Sequence, residues 1–93
     1  MITTILSHEV KNYSEWKKVF DADAKNRTKN NLKVTGIYQS VENPNYVTVI
    51  GEVPNKETIK GYVSSPEMQA TMEHAGVLGK PEVKILKTVL QQE

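Results

Sequence analysis

The sequence predicts an α+β domain of order β-α-β-β-α-β, a four-stranded antiparallel sheet with its helices on one face. Three observations carry that prediction. Ile2 to Val10 alternates with period two, Tyr13 to about Asn30 repeats its apolar residues at helical spacing, and the Glu42-Asn43-Pro44-Asn45 turn joins two β-branched runs.

In the first strand Ile2, Thr4, Leu6, His8 and Val10 share one face, while Thr3, Ile5, Ser7 and Glu9 share the other. Asn12 offers a helix N-cap, and Glu15 three residues on completes a capping-box-like pair. The helix that follows is expected to run unbroken to about Asn30, over four to five turns. Tyr13, Trp16, Val19, Phe20 and Ala24 fall near its inner side, and Lys17, Lys18, Asp21 and Lys25 mostly outside. Asn30-Asn31 ends it. A second strand is expected from about Lys33 to Val41, and a third from Tyr46 to Val53, with Val47, Val49 and Val53 on one face.

Asn55 offers a cap for a short helix through Val63. Ser65-Pro66-Glu67 then starts another: Ser65 as N-cap, Pro66 in the first turn, Glu67 complementing the helix dipole. The second helical region is thus broken near Ser65-Pro66. Gly76 stands where a left-handed residue would end the helix. Val77-Leu78-Gly79-Lys80-Pro81 reads as a loop, and a last strand as about Glu82 to Leu90, with a polar tail beyond. This order is the ferredoxin-like split βαβ.

The chain has 93 residues, so one domain spanning 1–93 is expected, burying only roughly 60–65% of its unfolded surface. Its net charge is +1, from 12 basic and 11 acidic residues. Such a balance exerts no long-range pull on nucleic acid or anionic lipid, and Arg27 is the sole arginine. Neither nucleic-acid nor membrane binding is expected. Without cysteine, disulfides and thiolate chemistry are excluded. The first residues lack the basic flank and apolar stretch of a signal peptide, and no apolar run nears the roughly 18 residues of a membrane span. A cytoplasmic location is the expectation.

Apolar residues occur on both faces of the predicted sheet: Val83, Ile85 and Val89 opposite Leu86 and Leu90, and Ile2, Leu6 and Val10 opposite Ile5. Helices on one side cover only one face. A second copy packed on the other, as a homodimer through the sheet face, would bury the remainder.

His8-Glu9-Val10-Lys11-Asn12-Tyr13-Ser14-Glu15-Trp16-Lys17, then Phe20-Asp21, Ser65-Pro66-Glu67-Met68, and Ala75-Gly76-Val77 with Gly79 and Pro81, resemble small bacterial proteins of the dimeric α+β barrel superfamily. These are the antibiotic biosynthesis monooxygenase-like proteins. The resemblance spans nearly the whole chain. It implies the fold, a homodimer and a cleft between helices and sheet in each protomer. It implies no single reaction, since relatives include cofactor-free oxygenases, haem-degrading enzymes, decarboxylases or cyclases, and proteins without known activity.

His8 is the candidate general base, an ionisable side chain on an otherwise apolar strand face. Trp16, Tyr38, Tyr62 and Met72 are candidate lining of a cleft for a small hydrophobic ligand, and Tyr13 raises the same question. Met68 and Met72, four apart, also suit pliable core filling. Haem-degrading relatives carry an axial histidine on the second helix. Here His74 sits roughly 120° from the Met68–Met72 face, so haem ligation is not expected. Neither histidine has metal-ligand spacing with Glu9, Glu73 or Glu82, and there is no phosphate loop or nucleophile elbow. No cofactor and no metal are expected. A cofactor-free, monooxygenase-like enzyme acting on a small organic molecule is one reading. A non-catalytic dimeric binding or stress-associated module is the other, and the residues do not decide between them.

Overall fold

In the computed structural model, which describes residues 2–87 and 89, the described residues form four strands and four helices. They are β1 (Ile2–Val10), α1 (Tyr13–Ala22), α2 (Ala24–Lys29), β2 (Lys33–Gln39), β3 (Tyr46–Val53), α3 (Lys56–Ser64), α4 (Pro66–His74) and β4 (Val77–Lys87). The sheet is antiparallel with order β2-β3-β1-β4. The fold is α+β and ferredoxin-like, as the sequence predicts.

The register explains where the core sits. Leu6 stands opposite Val49 and Val83, Thr4 opposite Gly51 and Ile85, and His8 opposite Val47. Because side chains alternate along a strand, these residues share the face beneath the helices. Val10, Val47 and Val53 are almost completely buried there. The core has two parts. One gathers Val10, Trp16, Val47, Val49 and Ala75; the other gathers Val53, Ile59 and Tyr62.

Helix starts follow the expected caps. Asn12 Oδ1 accepts from the Glu15 amide at 3.0 Å, Asn55 Oδ1 from Thr58 at 2.9 Å, and Ser65 Oγ from Met68 at 3.0 Å. Each such cap contributes about 1 kcal/mol. The Glu15 carboxylate does not reciprocate as a capping box would; it pairs with Lys18 Nζ at 3.3 Å. Gly76 (φ +83°) occupies the left-handed position after α4, and its carbonyl accepts from the Lys11 amide at 2.9 Å.

Three sequence-based expectations need correction. The long first helix is two, broken at Asp23. Arg27 Nη1 donates to the Phe20 carbonyl at 2.7 Å, and the Asp23 amide closes a tighter turn onto that oxygen at 3.2 Å. The helical ladder gives way there, and Ala24, expected inside, is exposed. The second strand ends at Gln39, leaving Val41 fully exposed before the turn. The segment Val77–Pro81, expected as a loop, is the start of β4. Val77 pairs with Val10 and Leu78 with Glu9, and the ladder then shifts register between Glu9 and Ser7. Gly79 (φ +69°) lies in that irregularity, and Pro81 lacks the amide a central strand would need but is tolerated at this edge. The expected positions of Leu90 and of the tail lie outside the described residues.

Candidate functional site

His8 lies on β1 where the β1–β4 ladder is interrupted: Ser7 pairs with Glu82 and Glu9 with Leu78, so β4 spends two more residues than β1 across this stretch. Bulges of this kind bend a strand and re-aim the side chains beside them. The imidazole points under the helices and is 4% exposed. Its ring meets Trp16 edge-on, centroids 5.7 Å apart at 68°. Its Nδ1 is buried without a hydrogen-bond partner. An unpaired buried polar atom costs about 1–3 kcal/mol, which a ligand or water reaching it would recover. Burial holds the His8 pKa below the ordinary 6.5, opposed weakly by its own backbone. The imidazole is therefore neutral near pH 7, the form that accepts a proton.

From His8 an aromatic row runs along the inner face of α1. Trp16 stacks on Phe20 (4.9 Å, 27°), and the Arg27 guanidinium carbon lies 3.7 Å above the Phe20 ring. Tyr13 joins at 5.8 Å from Trp16. The spacing 13, 16, 20 puts the three rings on one helix face, and the break at Asp23 returns Arg27 to the same side. Tyr62, on α3, donates to Asp23 Oδ2 at 3.0 Å. Burial, then the Asp23 charge, push the Tyr62 phenol well above its ordinary value, with Arg27 opposing. It remains a proton donor.

These groups enclose a cavity of about 60 Å³ at the seam between the two parts of the core. His8 and Trp16 wall one part, Tyr62, Asp23 and Arg27 another, and Met68 and Met72 of α4 close it. That space holds a water or a small molecule of very few atoms, less than the 150 Å³ or so that accommodates benzene. A separate groove of about 560 Å³ lies between α4 and the irregular start of β4, walled by Met72, Glu73, Val77, Lys80 and Pro81 among others.

Of the residues singled out in the sequence, His8, Trp16, Tyr62 and Met72 converge on this cavity. Tyr38 does not. It pairs with Thr48 on the opposite face of the sheet and is 57% exposed. The register shift between Val34 and Gly36 decides its side. His74 is exposed on the outer flank of α4. Among the described residues no cluster of three His, Cys, Asp or Glu is placed to hold a metal ion. Asp23 and Arg27 were missed by pattern reading. The one available signal was that Arg27 is the only arginine in the chain.

No protein-family model matches the chain, and no curated protein matches it. Solved structures do. An antibiotic biosynthesis monooxygenase-type protein of Bordetella bronchiseptica superposes with a TM-score of 0.76 at 16% identity, covering 96% of this chain and 97% of the other. One from Caulobacter crescentus gives 0.72 at 18%, over 96% and 90%. A conserved protein of Methanosarcina mazei gives 0.71 at 17%, over 95% and 92%. At these identities the likeness establishes the fold: the chain has the ferredoxin-like α+β fold of the antibiotic biosynthesis monooxygenase-like proteins, in agreement with the resemblance read from its sequence. No helix among the described residues is long and apolar enough to cross a membrane.

Proposed function

We propose that this protein is a homodimeric, cytoplasmic oxygenase-like enzyme, residues 1–93 forming one domain, which binds a small hydroxyaromatic molecule beside His8 and accepts its proton. The observation that carries the reading is the His8 imidazole: buried, neutral, and with Nδ1 lacking a partner, at a cavity walled by aromatic rings. Taking a proton there places a cation in an apolar site, which is favourable only if the substrate anion stays beside it. An electron-rich phenolate can then reduce dioxygen directly, and the overall reaction balances as phenol plus O₂ giving a quinone and water. One oxygen atom enters the product and the other leaves as water, so the substrate supplies all the electrons.

The homodimer is supported by the sheet face that lies away from the described helices. There Ile5 and Ile50 stand opposite each other, flanked by Leu86 (44% exposed), Tyr38, Tyr46 and Leu78. A self-complementary two-fold contact would cover this face.

The test is turnover of 1-naphthol, followed as oxygen uptake and 1,4-naphthoquinone release. General-base catalysis contributes about 10²–10⁴-fold, so His8→Ala should lose at least a hundredfold in rate. Equal rate and equal affinity in His8→Ala would remove the role of His8. Ligand binding without oxygen uptake, across a panel of phenols, would favour the non-catalytic binding module instead.

A further inference from the structure

The inner cavity is too small for the aromatic substrate class just proposed, while the outer groove, at about 560 Å³, falls within the usual range for a small-molecule site. Met72 is the one side chain that walls both. We propose that Met72 is a gate between two halves of one binding site, and that the site takes an extended hydroxyaromatic, hydroxyl inward at His8 and distal ring in the outer groove. This rests on the reading of His8 given above and adds to it the route and the size of the ligand.

Three independent features support the gate. The first is the side chain itself: methionine has three rotatable bonds and no branching, so it can vacate a space without moving backbone. Met72 is only partly buried, and α4 contains no fully buried residue, so little packing opposes the movement. The second is the sheet edge. The two surplus residues of β4 fall at the position of His8, and Gly79, Lys80 and Pro81, which belong to that irregular stretch, form the far wall of the groove. Part of the groove wall therefore stands across the β1–β4 ladder from the strand position that carries the imidazole. The third is chemistry. The groove wall is apolar at Val63, Val77 and Val83 and polar at Glu73 and Lys80, which suits the flank of a fused or linked ring with a polar outer end. The inner cavity, walled by His8, has room for the hydroxyl but not for a ring, so the first ring takes the space that Met72 vacates.

The experiment uses the full chain, its single tryptophan, which walls the inner cavity, and two absorbing probes. 4-Nitrophenol carries one ring and 4-hydroxyazobenzene two; quenching of Trp16 by stopped flow gives association rate and affinity for each. Met72→Ala should raise the association rate of the two-ring probe at least tenfold, and Met72→Leu, which keeps the volume closer, should raise it two- to fivefold. Val83→Phe, filling the outer groove, should weaken the two-ring probe at least tenfold and 4-nitrophenol less than threefold. Unfolding midpoints in urea establish that each variant is folded. If Met72→Ala and Met72→Leu both bind the two-ring probe at the wild-type rate, while His8→Ala loses at least a hundredfold in 1-naphthol turnover, the gate is wrong and the His8 reading stands. If neither probe quenches the wild-type protein, both are wrong. If Val83→Phe weakens both probes equally, the groove is not the seat of the distal ring and the proposal fails.

Discussion

Val47, Val49 and Val53 alternate with Thr48, Ile50 and Glu52 along a single strand, yet the two sets live in different surroundings. The valines are buried against residues of α1 and α3 and against Ala75 at the end of α4; the others face the side of the sheet away from the described helices. On the covered side one polar ionisable group, His8, is held dry among aromatics. On the open side Ser7 and Thr48 hydroxyls bond to each other at 2.9 Å, within a patch of Ile5, Ile50, Tyr38 and Leu86. Under the proposed function the two faces divide the labour. Chemistry needs the low-dielectric side, where a pKa can move, whereas association needs the accessible apolar side.

The largest expected difference between the faces is in packing. Trp16→Ala should cost about 3–5 kcal/mol in urea unfolding, because a buried aromatic leaves a cavity that its neighbours fill only partly. Tyr38→Ala, on the open face, should change the unfolding of the isolated protomer by no more than about 0.5 kcal/mol. Equal effects would erase the contrast.

Next in size is a charge placed on the open face. Ile5→Lys, together with Leu86→Lys, should weaken self-association by about 2 kcal/mol or more and leave a 10.5 kDa species in sedimentation at micromolar concentration. A wild-type protein that already sediments at that mass would break the dimer proposal outright.

A smaller effect belongs to His8 and pH. Its folded pKa lies below 6.5, so as pH falls beneath that value the unfolded chain takes up a proton that the folded chain resists. Stability is therefore full above pH 6.5 and is lost progressively as pH drops through the folded value. The slope from this one group cannot exceed about 1.4 kcal/mol per pH unit. Chemical denaturation between pH 7.5 and 5 should show this fall in the wild type and a shallower one in His8→Gln. Identical slopes would mean that His8 is not held dry.

The smallest is Tyr62→Phe. It removes the donor to Asp23 Oδ2 without changing shape, so a loss of about 1 kcal/mol is expected. A double-mutant cycle with Asp23→Ala should return a similar coupling; a coupling near zero would show that this pair does not organise the far end of the cavity.

Much of the fold was legible along the chain. Period two in Ile2–Val10, the caps Asn12, Asn55 and Ser65, and Gly76 at the end of α4 are local signals, each satisfied by backbone groups within a few residues. The break at Asp23 was not legible, because the group that takes the Phe20 carbonyl is a guanidinium seven residues away. The start of β4 was hidden for a related reason. Val77-Leu78-Gly79-Lys80-Pro81 has loop composition, and only pairing with Glu9 and Val10 makes it strand.

The candidate site divides along the same line. His8, Trp16 and Met72 each declare their face by spacing within their own element, since helical and extended geometry fix which residues share a side. Tyr38 misled because one register shift in β2 moved it to the opposite face, and a period-two pattern cannot foresee an extra residue. By itself the sequence determined the order of strands and helical regions, the caps and the face on which an ionisable group would be buried, but not the break at Asp23 or the start of β4. The tertiary structure alone decided that Asp23, Arg27 and Tyr62 meet at that cavity, and that one methionine lines both it and the larger groove. Distances between elements depend on packing and strand register, which are properties of the assembled chain rather than of any segment.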